Sequence, residues 1–163
     1  MLRKFNNNNK NDKIKNCKCR IQTSCPVGGN GEEKSVVYRA EVEDEKTSQK
    51  EGYIGLAGDT FKVRYANHMK SFRNKKYEHE TCLSKYIWNK KENEENFNIK
   101  WKFIDRGTLF NPVTMRCNLC LKEKYHLIFR TDSFKINTRN EFGATCRHIR
   151  PHIIENFKPQ GIT

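Results

Sequence analysis

Residues 35–72 read SVVYRAEVEDEKTSQKEGYIGLAGDTFKVRYANHMKSF, and this stretch decides the fold. From Ser35 to Glu43 apolar and polar residues alternate. Val36, Tyr38, Ala40 and Val42 fall on one face; Val37, Arg39, Glu41 and Glu43 fall on the other. Period-two alternation predicts a half-buried strand. Glu43 to Lys50 is charged and polar and reads as a hairpin loop. Tyr53 to Leu56 is a short second strand, in which Gly55 permits close backbone approach. Gly58, Asp59 and Thr60 form a turn, with Asp59 or Thr60 as the N-cap of a helix over Phe61–Arg73. Phe61, Tyr65, Met69 and Phe72 recur at helical spacing and make its buried stripe. Arg64, His68 and Ser71 fall on a neighbouring stripe.

Working outward, a second helix is expected over Thr81–Lys91, with Leu83 and Ile87 as core contacts. A polar linker, Glu92–Asn96, leads to a third strand over Ile99–Phe103. Asn111-Pro112 breaks the chain. Cys117–Phe129 reads as a third helix with Leu121 and Ile128 inward, and Phe134 and Ile136 suggest a short last strand. The order β-β-α-α-β-α-β predicts an α+β domain with a small mixed or antiparallel sheet of three or four strands. Residues 34–138 form that domain. Residues 1–33 are a basic, cysteine-containing segment, low in complexity around Asn6–Asn9 and expected to be partly disordered. Residues 139–163 contribute further Cys and His.

The 163 residues carry 32 Lys plus Arg against 19 Asp plus Glu, a net charge of +13. The excess sits in three blocks: residues 1–25 (+6), 60–76 (+6) and 116–150 (+5). A polyanionic partner follows: nucleic acid, an anionic membrane or an acidic protein. The balance argues against an enzyme of small neutral substrates. No run approaches the roughly 18–20 apolar residues of a membrane span. No basic-then-apolar secretory leader is expected. A membrane-surface reading lacks an amphipathic helix with an exposed apolar face.

Seven cysteines, an odd number, argue against a disulfide framework and for reduced, intracellular thiols. Cys117 and Cys120 form a CxxC; Cys146 and His148 follow after 25 intervening residues. Three thiolates and an imidazole make a closed tetrahedral set for structural Zn²⁺. The alternative is separate thiols. Cys17, Cys19 and Cys25 resemble a second zinc cluster, but no fourth ligand lies near them.

For a phosphodiester substrate the chemistry needs a base, a cation for the developing charge and, commonly, a divalent metal. Tyr38 and Tyr53 lie on adjacent strands that can bring both phenols into one patch. Arg64 and His68 are one helical turn apart. Glu123, between Lys122 and Lys124, is either an ion-pair partner or a hard-metal ligand, and spacing alone favours the ion pair. Each has a plainer reading too: strand-forming aromatics, a solvated charge, a polar residue on a helix flank.

These residues resemble the GIY-YIG nucleases. The likeness is carried by Val36-Val37-Tyr38, by Tyr53-Ile54-Gly55, by Arg64 with His68 four residues later, and by Glu123 and Asn137. The run Tyr53–Phe72, LSKYIW at Leu83–Trp88, CNLCLKEK at Cys117–Lys124 and CRH at Cys146–His148 resemble the endonuclease domain that follows the reverse transcriptase of Penelope-like retroelements. The resemblance implies that Tyr38 serves as or orients the general base. It implies that Tyr53 bonds near the scissile phosphate, that Arg64 stabilises the phosphate charge and that His68 assists. It also implies that Glu123 holds one Mg²⁺ or Mn²⁺ and that Asn137 braces the site. It moves Glu123 from ion-pair partner to metal ligand. The first motif departs from the pattern, with VVY for GIY; the two tyrosine motifs stand further apart than usual. No extra Cys lies in Gly28–Gly31.

Two functions follow as expectations. One is a metal-dependent endonuclease that cuts target DNA, with Lys62, Lys70, Arg73, Lys75 and Lys76 gripping phosphates, a nuclear location, and a reverse transcriptase domain or element RNA as a further partner. The other is a zinc-containing nucleic-acid-binding module without chemistry. Both bind with strong salt dependence.

Overall fold

The computed structural model describes residues 25–114, 116–129, 136–138 and 146. Strand β1 (Val36–Asp44) pairs antiparallel with β2 (Lys50–Ala57) through the five-residue connection 45–49. Asp44 shapes that connection: its Oδ1 accepts from the backbone N–H groups of Lys46 (2.9 Å) and Thr47 (2.8 Å), an Asx-type turn. Strand β3 (Phe97–Arg106) adds antiparallel to the other side of β1, giving the order β2-β1-β3. The sheet thus has three antiparallel strands among the described residues. Strands β2 and β3 run several residues beyond their alternating cores, because backbone pairing continues through Lys50, Glu51 and Asp105.

One sheet face is covered by α1 (Phe61–Arg73) and α2 (Cys82–Glu92). Val36, Tyr38, Ala40, Val42, Tyr53 and Ala57 pack there with Phe61, Phe72, Leu83 and Ile87. Thr60, rather than Asp59, caps α1: its Oγ1 accepts from the Val63 N–H at 3.4 Å. The preceding two amides of the helix, Phe61 and Lys62, donate to the carbonyls of Glu33 (2.9 Å) and Gly31 (2.8 Å). Thr81 caps α2 in the same way through the Ser84 N–H. Between the helices runs a 3₁₀ segment, Lys75–Glu80, which the polar string KKYEHE did not announce.

The opposite face is covered by α3 (Asn118–Phe129). Val37, Ile54 and Leu56 pack against Leu119, Cys120 and Leu127. Strand β1 is therefore not half-buried at this end: Val37 is as enclosed as Tyr38. The expected orientation of α3 is also reversed. Leu121 and Ile128 are 68% and 54% exposed, whereas Leu119, Cys120, His126 and Leu127 face the sheet. Apolar residues occur on both sides of this helix, and the inward side also carries a carboxylate and an imidazole, which hydropathy reads as outward. Gly107, just past β3, admits the first turn of α3: a Cβ there would lie 2.7 Å from Leu119 Cα. The Leu119 N–H donates to the Thr108 carbonyl at 3.1 Å. No last strand exists among the described residues. Ile136 lies in a bend, buried, and its N–H donates to the Gly52 carbonyl at 3.2 Å; Phe134 lies outside the described residues.

Candidate active site and metal centre

The cluster on the α1 face grows from strand alternation and one helical turn. Register opposes Tyr38 to Gly55 and Ala40 to Tyr53, so both tyrosines project to the same side, with ring centroids 6.4 Å apart. Gly55 makes room: a Cβ there would come within 2.6 Å of Tyr38 Oη and 2.9 Å of Tyr53 Cε1. Four residues apart on α1, Arg64 and His68 both reach the Tyr38 hydroxyl. Arg64 Nε donates to Tyr38 Oη at 3.0 Å. His68 Nε2 shares a hydrogen with the same oxygen at 2.7 Å. Phe61 and Trp101 wall the cluster, their centroids 5.3 and 5.7 Å from Tyr38.

Burial sets the electrostatics. Tyr38 is fully enclosed and His68 is 2% exposed. Desolvation, reinforced by the Arg64 charge, pushes His68 down to about 3, so the imidazole is neutral. Burial works to lower Arg64, but the Tyr38 and Tyr53 oxygens outweigh it and hold the guanidinium above its ordinary value. The arrangement is a phenol oxygen between a fixed cation and a neutral base. Arg64 lowers the cost of negative charge on that oxygen, and the neutral Nε2 of His68 can accept a hydrogen bond from its O–H. Arg64 also lines a surface cleft of about 250 Å³ with Thr60, Val63 and Asn67.

Asn137 sits beside this cluster on the outer edge of β2. Its amide bonds both ways with Ile54, accepting from the N–H at 2.8 Å and donating to the carbonyl at 2.9 Å. It thereby occupies the place of a further strand at the residue between Tyr53 and Gly55. Glu123 comes from α3, on the opposite face of the sheet, and is half-buried. Its neighbour Lys122 makes an ion pair with Asp105, at 2.8 Å.

The CxxC forms a thiol cluster. Sulfurs of Cys117, Cys120 and Cys146 lie within 4.8 Å of one another, so the three could hold a metal ion. Cys120 and Cys146 sulfurs are 3.5 Å apart, and the Cys120 N–H donates to Cys117 Sγ at 3.5 Å. His148, Cys17 and Cys19 lie outside the described residues; Cys25 is buried. Of the expected phosphate-gripping residues, Lys62, Lys70, Arg73, Lys75 and Lys76 are all exposed. Lys75 pairs with Glu92 at 2.5 Å, Lys62 with Glu32 at 3.5 Å, and Lys70 lies 4.2 Å over the Tyr77 ring.

Two residues of chemical interest were not singled out from sequence: Asp105 and His126, joined at 3.0 Å. They stand 21 residues apart, at a strand end and within a helix, and no motif links them. No family model, no curated protein and no solved structure matches the chain.

Proposed function

We propose that this chain is a metal-dependent DNA endonuclease that hydrolyses phosphodiester bonds, of GIY-YIG type and similar to the endonuclease domain of Penelope-like retroelements, acting in the nucleus on target DNA. One observation carries the reading: the Tyr38 hydroxyl is held between Arg64 Nε at 3.0 Å and His68 Nε2 at 2.7 Å. A structural tyrosine needs one partner. A cation and a neutral imidazole on one phenol oxygen are what a proton-accepting phenol requires.

In this reading Tyr38 takes or orients the proton of the attacking water, and His68 assists by its hydrogen bond to the phenol oxygen. Arg64 then turns its charge to the phosphate as negative charge builds there. Tyr53, 6.4 Å from Tyr38 between ring centroids, bonds the phosphate. Asn137 holds the backbone between the two motif residues Tyr53 and Gly55. Glu123 would hold the divalent cation, a hard oxygen donor suited to Mg²⁺ or Mn²⁺. Such a cation would supply charge stabilisation to a leaving oxygen that reaches the α3 side of the sheet. Cys117, Cys120 and Cys146, with His148 as fourth ligand, would hold structural Zn²⁺; three clustered sulfurs and an N–H···S bond suit that ion. The exposed lysines of α1 and the 3₁₀ segment grip the backbone of the DNA.

A second reading has one observation in its favour: Tyr38 has no exposed surface. A wholly enclosed phenol also fits a nucleic-acid-binding module whose former site has become core. Nicking of supercoiled plasmid separates the two. The expected result is Mg²⁺-dependent nicking by the wild-type chain and none by Glu123→Ala, with DNA binding retained by both. Undiminished cutting by Glu123→Ala overturns the site assignment. Salt-sensitive binding without cutting under any divalent metal selects the binding module.

A further inference from the structure

His126 is only 3% exposed, yet among the described residues half of its ring has no partner. Its Nε2 lies 3.0 Å from Asp105 Oδ2, while Nδ1 is buried without a hydrogen-bond partner among the described residues. Asp105 is itself fixed. Its Oδ1 accepts from Lys122 Nζ at 2.8 Å and from the Arg106 N–H at 2.7 Å. An ionised carboxylate only accepts, so the Nε2 of His126 carries the hydrogen and gives it to Asp105. In the neutral ring Nδ1 then carries a lone pair.

Glu123 precedes His126 by three residues on α3, so the two side chains are neighbours on the helix. At about 100° per residue, Glu123 falls within the inward arc marked by Leu119, Cys120 and Leu127, and the buried His126 lies at its edge, about 20° beyond Leu119. Glu-x-x-His is the spacing by which one helix offers a carboxylate and an imidazole to a single cation. A carboxylate on the far ring nitrogen is how a metal-binding histidine is oriented. The thiol cluster is a different site: its three sulfurs group with one another, and His126 is not among them.

We propose that Glu123 and the Nδ1 of His126 form a two-residue cation site on α3, with Asp105 as its positioning residue. This rests on the reading of Glu123 as a cation ligand. An imidazole beside a carboxylate shifts the preference from Mg²⁺, which favours oxygen donors, toward Mn²⁺ or another first-row ion.

The test uses the full chain, supplied with Zn²⁺ to fill the thiols and then titrated with Mn²⁺. Electron paramagnetic resonance follows the bound ion, and its pulsed form detects nitrogen coordinated to manganese. The expected result is one Mn²⁺ with a directly bound ¹⁴N, replaced by ¹⁵N when the histidines are labelled. Glu123→Gln removes the Mn²⁺. His126→Asn abolishes the nitrogen coupling and weakens binding about 10- to 100-fold. Asp105→Asn retains the coupling and weakens binding about tenfold, which serves if His126→Asn does not fold. Glu123-dependent Mn²⁺ without nitrogen coupling overturns the role of His126 and leaves that of Glu123 standing. Manganese absent, or indifferent to Glu123→Gln, overturns both.

Discussion

The two faces of the sheet solve the same problem with different materials. The α1 face is sealed by large aromatic rings, and its polar groups are drawn inward and bonded to one another. Tyr38, Arg64 and His68 share one oxygen there. Among the described residues the α3 face is sealed by a few aliphatic side chains, with a thiol, a carboxylate and an imidazole on the same inward side. The rest of its apolar surface points away: Leu121, Tyr125, Ile128 and Phe129 are all more than half exposed. One face is a packed core that contains chemistry; the other is a thin core stitched by polar and sulfur contacts. The difference means that identical apolar substitutions act very differently on neighbouring turns of α3.

The largest expected effect breaks this comparison at α3 itself. Leu127 is 1% exposed and packs on Val37 and Ile54. Leu127→Ala is expected to cost about 3 kcal/mol, the range of a buried leucine truncation. Leu121→Ala, one and a half turns away, is expected to change stability by less than about 0.5 kcal/mol, as exposed positions do. Urea unfolding of both variants measures the contrast. Equal effects would mean that the helix rests on the sheet by the Leu121 side after all.

How much of this was legible in the sequence follows the same division. The β1-β2-α1 unit could be read because each element has one apolar face: the alternation of Val36–Val42 and the spacing Phe61, Tyr65, Met69, Phe72 each admit one orientation. Even there, Val37 looked like part of a solvent face, since a strand says nothing of what covers its second side. Helix α3 admits two orientations, and hydropathy does not pick the right one because Glu123 and His126 score as polar. At the candidate site, Tyr38, Arg64 and His68 could be named, but not that His68 turns into the aromatic cluster. A flank position one stripe from the core is ambiguous until the rings opposite are placed. Asp105 with His126 was invisible, since only the packing of α3 on the end of β3 brings them together.

The next effect sharpens the aromatic face. Gly55→Ala would set a methyl 2.6 Å from Tyr38 Oη and 2.8 Å from Tyr38 Cζ. The ring cannot yield, being pinned by Arg64, His68, Phe61 and Trp101. Overpacking of this kind costs about 2 kcal/mol. Nicking activity is expected to fall by more than the unfolded fraction accounts for, because the phenol must leave its two partners. Thermal unfolding alongside plasmid nicking at a temperature where the variant is folded separates the two losses.

The smallest effect is a pH dependence confined to the α1 face. Burial, with the Arg64 charge adding to it, lowers His68 from 6.5 to about 3 in the folded chain. In the unfolded chain it titrates near its ordinary value. Between these pH values the unfolded state binds more protons than the folded state. Stability therefore rises with pH through this window, is fully present above about 6.5, and is lost as pH falls toward 3. From pH 6.5 down to pH 5 the loss from this one residue is about 1.5 kcal/mol. His68→Gln has no such titration, and its stability is expected to run flatter by that amount over the same interval, though lower at neutral pH. Denaturant unfolding at pH 5 and pH 6.5 measures the difference. Parallel slopes for wild type and variant would mean that His68 is solvated in solution, and that the hydrogen bond to Tyr38 on which the endonuclease reading depends is not made.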